Sequence, residues 1–533
     1  MSLPLICCKG AVIHMILNLL EYLEQTVQRF PSKVAFSDGQ REMTFLDIYT
    51  KARAIGSHLA SMGLYKEPVA VCMKKGPEAV TAFLGVLYSG CYYVPMDTDM
   101  PRGRAEAILS SLQPRAAVYD IQSKLLLQSD DGMDILQVPY GAASESLCDS
   151  ESLDRIRRSL IDTDPAYIVY TSGSTGIPKG VCACHRSVID YIEQLSELLC
   201  VNENTVFGNQ APFFTDACLK EIYTVLKHGA SAFLIPRMLF SFPVRLVEFL
   251  NANKINTVCW VASALTLVSS LGTFEKIKPK FLSTVAFGSE VFPARQLELW
   301  RKCLPDARFI NLYGPTEATG MSCFFEINRE FTPEEPIPIG HPFPNTEILL
   351  LCGDRPALPG EEGEICIRGT SLALGYYGSL EKTREAFVQN PLNVKYPERI
   401  YRTGDIGKYN ERGELVFVSR RDGQIKHMGY RVELSEIEAA ASLCEGVYLC
   451  CCLYDSACKQ IHLIYTGQTD EALLSAHLKT RLPRYMLPAV LHRIGEMPLT
   501  VNGKIDRTLL RNNCLGFASG INSGDKLIKT VEE

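Results

Sequence analysis

From residue 19 to about residue 420 the chain alternates short apolar runs of strand character with stretches whose apolar residues recur at helical spacing. Leu20, Leu23 and Val27 share one helical face, residues 34–36 (Val-Ala-Phe) read as a short strand, and an amphipathic helix then runs to Gly63. Residues 69–72 (Val-Ala-Val-Cys) form a buried-strand run, and a further helix leads to the strand Tyr92, Tyr93, Val94, Pro95. Strands joined through helices pair in parallel, so the pattern predicts a layered α/β fold rather than a sandwich. Turn glycines at Gly173, Gly229, Gly288 and Gly314 punctuate it.

Beyond residue 420 the pattern tightens into helices and short strands that close near residue 511. Residues 419–424 (Ser-Arg-Arg-Asp-Gly-Gln) carry charge and glycine without an apolar anchor, as a hinge would. The expected organisation is an extension over 1–14, a large domain of layered α/β subdomains over 15–421, a small mobile α+β domain over 422–511 and a polar, disordered tail over 512–533. A chain of 533 residues is too long for one ordinary core.

Composition removes several function classes. The net charge is −6 with lysine and arginine scattered among acids, so no basic stripe suits a phosphate backbone and nucleic acid is not an expected partner. Twenty cysteines spread over a large chain, some in apolar runs such as Cys450, Cys451 and Cys452, read as reduced, buried thiols of a cytosolic protein rather than a disulfide framework. Cys182, Cys184 and His185 cluster, but no second ligand pair at zinc spacing accompanies them. No apolar run is long enough to span a bilayer.

Residues 167–180 (YIVYTSGSTGIPKG) carry the first chemistry: an apolar strand feeds a loop of glycine, serine and threonine that ends on Lys179. Backbone amides and hydroxyls of such a loop can converge on an anion while the lysine supplies a point charge, which describes a polyphosphate cradle. The pattern is not a P-loop, because no Gly-Lys-Ser/Thr closes it.

With that loop, the chain resembles the adenylate-forming superfamily of acyl-CoA synthetases, luciferases and nonribosomal peptide adenylation domains. The resemblance spans about residues 16–511 and includes, in the family's order, residues 88–104 (YSGCYYVPMDTDMPRGR), 311–319 (NLYGPTEAT), 363–377 (GEICIRGTSLALGYY), 401–409 (YRTGDIGKY), 420–438 (RRDGQIKHMGYRVELSEIE) and 501–507 (VNGKIDR). It implies that Thr171, Ser172, Gly173, Ser174, Thr175, Gly176 and Lys179 cradle the phosphates of ATP, and that Tyr313 stacks on adenine with Asn311 at its edge and Gly314 beside them. Thr316 is then expected on the α-phosphate, Glu317 on Mg²⁺, Asp405 on the ribose hydroxyls and Arg420 as a second nucleotide contact. Lys504 corresponds to the catalytic lysine that bridges the attacking carboxylate and the α-phosphate, with Pro498, Gly503 and Asp506 shaping its loop. Asp422 corresponds to the hinge about which the small domain turns, presenting either Lys504 or the 425–431 loop around Gly429.

For the acid, Asp216 aligns with the residue that pairs with a substrate α-ammonium, which favours an amino acid; a helix N-cap is the competing reading. The remaining pocket positions implied are Ala217, Lys220, Trp260, Val285, Phe287, Leu312, Gly320 and Met321, whose bulk argues for a short side chain. Lys220 is expected either to pair with an acidic side chain or to snorkel to water. Residues 287–293 and 425–438 look closest to stand-alone D-alanine:carrier-protein ligases, although Gly288 and Lys220 depart from that pattern. No carrier segment follows residue 511, so a separate phosphopantetheine-bearing carrier protein is the expected acceptor. The alternatives are an acyl- or aryl-CoA ligase and a catalytically idle nucleotide-binding scaffold.

Overall fold

The computed structural model describes residues 6–8, 11–13, 15–127, 134–173, 178–332, 335–421, 424–500 and 505–514. Two compact units divide the chain: a large one of Met1–Thr171, Pro178–Asp422 and Met428–Arg431, and a smaller one of Ser172–Ile177, Gly423–His427 and Val432–Glu533.

Two extended sheets organise the large unit. One has seven strands in the order Gly375–Tyr376, Lys179–Cys184, Pro165–Thr171, Tyr92–Met96, Pro68–Cys72, Ala116–Tyr119 and Leu136–Pro139. Its Pro68–Cys72 strand is buried throughout and pairs in parallel with both neighbours, as an uninterrupted apolar run between covering helices should. The second sheet has nine strands, with the parallel ladder Arg308–Tyr313, Thr284–Gly288, Thr257–Val261, Val206–Asn209, Ser231–Leu234 at its centre. Helix Phe45–Ser61 begins with a full capping box, the Thr44 hydroxyl accepting from the Asp47 N–H while the Asp47 carboxylate accepts from the Thr44 N–H. A large core fills the space against the helices, with Phe36, Phe45, Tyr167, Tyr223 and Phe207 fully buried.

Two expectations need correction. The parallel alternation does not run to residue 420: Thr346–Cys352, Gly363–Gly369, Arg399–Tyr409 and Leu415–Arg420 form an antiparallel sheet. Residues 512–514 belong to helix Arg507–Cys514 rather than to a tail, because Leu510 is buried with Cys451, Leu453 and Ile464 and anchors the helix. In the small unit, strands Val447–Asp455, Gln460–Gly467 and Val490–Arg493 form a three-stranded sheet.

Cys182 and Cys184 are buried on a strand of the seven-stranded sheet, and the His185 ring accepts the Leu19 N–H through Nδ1 at 3.3 Å. Among the described residues no helix is long and apolar enough to cross a membrane.

Candidate active site

Of the nucleotide-binding candidates, Asn311, Tyr313, Gly314, Thr316, Glu317, Asp405 and Arg420 belong to the large unit. Tyr313 ends the strand Arg308–Tyr313, buried, and its hydroxyl donates to Asp405 Oδ2 at 2.6 Å. The other carboxylate oxygen of Asp405 accepts from Arg420, its partner in the ladder register between Arg399–Tyr409 and Leu415–Arg420. Both oxygens therefore have protein donors and keep further lone pairs for hydroxyl groups. Asn311 donates through Nδ2 to the Pro338 carbonyl at 2.8 Å, which orients its amide and leaves Oδ1 as acceptor. Gly314 allows the turn that follows: a Cβ there would come within 2.2 Å of the Gly320 carbonyl oxygen.

Thr316 and Glu317 open a single turn of 3₁₀ helix, Thr316–Ala318. Glu317 is fully buried, and its carboxylate accepts from Tyr376 Oη at 2.7 Å and from Arg431 at 2.7 and 2.9 Å. Lys179 Nζ stands 3.5 Å away and lies over the Tyr376 ring, 4.7 Å from its centroid. Burial alone would raise this carboxyl, but Arg431 and Lys179, with the Tyr376 hydroxyl, hold it well below the usual range. A buried oxygen donor kept ionised at neutral pH fits Mg²⁺, which needs one or two protein carboxylates when phosphates and water complete its shell.

Tyr376 and Arg431 were not singled out by the sequence reading. Tyr376 sits in the quoted 363–377 block and Arg431 in the 420–438 block, but nothing in their spacing reports that they meet Glu317.

The side-chain pocket is a cavity of about 10 Å³, room for about one water. Ala217, Lys220, Trp260, Phe287, Leu312 and Met321 line it as expected, and Gln210, Ala211, Cys259, Val261, Ala286, Gly288 and Ser289 complete the wall. Trp260 is fixed by its indole N–H, which donates to the Gly208 carbonyl at 2.8 Å. Val285 is instead buried in the core beside Trp260 and Phe287, and Gly320 sits against the Tyr191 ring, where a Cβ would approach to 2.8 Å.

Asp216 does not line the cavity but adjoins it through Ala217, at the first position of the turn Asp216–Cys218. It caps no helix: the N-cap of that turn is Thr215, and that of helix Leu219–His228 is Cys218. Burial pushes its carboxyl up, with the Lys220 ammonium and the Thr316 hydroxyl pulling the other way. Lys220 is only 5 % exposed, so it does not snorkel.

Behind the pocket, Glu221 is buried and neither of its carboxylate oxygens makes a hydrogen bond. Burial raises it to about 7 despite the Lys220 and Lys75 ammonium groups. Lys75 donates to the Asn209 and Gln210 carbonyls at 3.1 and 3.3 Å, and burial lowers it to about 8. Glu221, in a Lys-Glu pair near the start of helix Leu219–His228, and Lys75, before helix Pro77–Tyr88, carry no sequence signal that folding brings them together.

Thr171 ends the strand Pro165–Thr171, and Ser172 and Gly173 follow it. Ser174, Thr175, Gly176, Asp422 and Lys504 lie outside the described residues.

Residues 23–377 match the AMP-binding enzyme family. The chain is 33% identical to a linear gramicidin synthase of Brevibacillus parabrevis, over 91% of its own length and only 6% of that protein's. It is 29% identical to tyrocidine synthase 1 of the same organism, over 94% of its own length and 45% of that protein's. In fold it matches an artificially fused adenylation and PCP di-domain, NpsA-ThdA, from Klebsiella oxytoca, with TM-score 0.77 at 24% identity over 90% of this chain and 94% of that one. With the family matched over most of the large unit and the buried Glu317, Asp405 and Tyr313 in place, this chain belongs to the AMP-binding, adenylate-forming enzyme family.

Proposed function

We propose that the chain activates the carboxylate of a small amino acid with ATP, releasing pyrophosphate, and passes the aminoacyl group to the phosphopantetheine thiol of a carrier protein. The observation that carries the amino-acid reading is Asp216: a carboxylate beside the cavity that caps no helix and whose charged form burial disfavours. A substrate α-ammonium would satisfy it, and an acyl or aryl acid would not.

In this reading Asp405 and Tyr313 hold the nucleoside, and Thr316 and Lys179 hold the phosphates. Lys504 supplies the ammonium between the attacking carboxylate and the α-phosphorus. Mg²⁺ on Glu317 and the phosphates would neutralise the departing pyrophosphate. The volume of the cavity supports a short side chain, and the burial of Lys220 at its wall supports one that ends in an acceptor. Aspartate and glutamate therefore stand beside the alanines as candidates.

Amino-acid-dependent ATP–pyrophosphate exchange, screened over L- and D-alanine, serine, aspartate and glutamate, tests the proposal. Exchange should appear with one of them and fall at least about 100-fold in Asp216→Ala, as expected for loss of a buried charge partner. Exchange driven instead by a fatty or aryl acid, and indifferent to Asp216→Ala, would assign the chain to the CoA-ligase branch. Formation of an aminoacyl thioester on the phosphopantetheinylated carrier, with release of AMP, tests the second step.

A further inference from the structure

The large unit holds a second cavity, of about 510 Å³, that shares no lining residue with the pocket at Lys220 and Trp260. It opens among the helices Leu20–Arg29, Phe45–Ser61, Pro77–Tyr88 and Ser150–Ser159. Its size falls in the range of small-molecule sites rather than of packing defects.

The lining combines an apolar body with convergent donors. Leu20, Leu87 and Leu153 are buried, while Val27, Leu46 and Leu160 are more exposed. Arg53 lies over the rings of Tyr49 and Tyr88, 5.2 and 5.8 Å from their centroids, and donates to Ser150 Oγ at 2.9 Å. The groups that act on its charge are Tyr49, Tyr88 and the Cys148 thiol. Arg157 is paired with Glu24, yet its Nη1 is buried without a hydrogen-bond partner; the Tyr88 hydroxyl lies close to the Glu24 carboxylate. Asp154, exposed, is the other acid in the wall.

Buried donors without acceptors are uncommon, because each leaves a desolvation cost unmatched. A guanidinium lying against two aromatic rings, with one amino group on Ser150, keeps further N–H groups that can donate to an acceptor. We propose that this cavity binds a small carboxylate with a hydrocarbon body, its head group on Arg53 and its body against the leucines. Arg157 Nη1 supplies a spare donor at the same site. The proposal is independent of which acid is adenylated.

The test uses the full chain without ATP, with octanoate as probe and octanol as its uncharged counterpart, by titration calorimetry. Octanoate should bind with unit stoichiometry and at least about tenfold more tightly than octanol, the usual margin of a charge-assisted hydrogen bond. Arg53→Gln should weaken it at least about tenfold. Leu46→Trp, at a position 49% exposed and so tolerant of bulk, should abolish binding by filling the cavity. Amino-acid-dependent pyrophosphate exchange should be unchanged in both variants, which also reports that they fold. Absence of octanoate binding, equal binding of octanol, or octanoate binding that survives Leu46→Trp would overturn the assignment. The last outcome would place the acid in the adenylation pocket.

Discussion

The Tyr313 hydroxyl donates to Asp405 Oδ2 at 2.6 Å, so the residue proposed to stack on adenine also holds the residue proposed to grip the ribose. The bond is buried and its acceptor is charged, a combination worth more than an ordinary hydrogen bond. Tyr313→Phe keeps the ring and removes the donor. The KM for ATP in pyrophosphate exchange should rise about tenfold, equivalent to about 1.4 kcal/mol, with kcat changed less. An unchanged KM would mean that Arg420 alone fixes Asp405.

Arg431 occupies Glu317 from 2.7 and 2.9 Å, so a metal ion at that carboxylate competes with a guanidinium. Arg431→Gln should lower the Mg²⁺ concentration that half-saturates exchange by about threefold to tenfold, since Lys179 and Tyr376 still keep Glu317 ionised. A Mg²⁺ titration with an unchanged or higher midpoint would remove the competition. The acid limb has a definite sign. A carboxyl held below its ordinary value contributes stability that is present above about pH 4.5 and is lost as pH falls towards the folded value.

The strands of the parallel sheets were legible because a doubly covered strand has to be apolar along its length, as Val69 to Cys72 is. The antiparallel sheet after residue 340 was not: one solvated face interrupts the apolar run, as in the mixed burial of Arg399–Tyr409. Motif residues such as Glu317 and Asp405 could be named because their chemistry is local to their turns. Tyr376 and Arg431 lie 59 and 114 residues from Glu317 in the chain, and only folding brings them to it. Lys220 and Glu221 show the same limit from the other side. Helix Leu219–His228 is buried over most of its length, and two charged residues in sequence give no sign of that.

Glu221 carries a pH signature. Raised by burial to about 7, it binds a proton in the folded chain at pH values where the unfolded chain has released it. Its contribution to stability is therefore fully present below about pH 4.5 and is lost as pH rises through about 7. The slope is at most about 1.4 kcal/mol per pH unit. Lys75, lowered to about 8, acts with the opposite sign and only at higher pH. Glu221→Gln removes the first effect. The Tm of the variant relative to the wild type should rise steadily between pH 5 and pH 7, and a constant difference across that window would show that Glu221 is not titrating there.

One of the points at which the chain passes from the large unit to the small one is Asp422 to Gly423. Immediately before it the backbone is fixed: Arg420 is in ladder register with Asp405, and the Arg421 N–H donates to the Gly404 carbonyl at 2.8 Å. A hinge at Asp422, the reading proposed from the sequence, would let a few residues absorb a change in backbone angles. Asp422→Pro fixes φ near −65° at that position and removes an N–H. If adenylation and thiol transfer need different angles there, the variant should retain pyrophosphate exchange within about twofold while thioester formation on the carrier slows at least about tenfold. Single-turnover assays of the two half-reactions separate these outcomes. Equal loss of both would assign Asp422 to stability alone, and loss of neither would move the pivot to another residue.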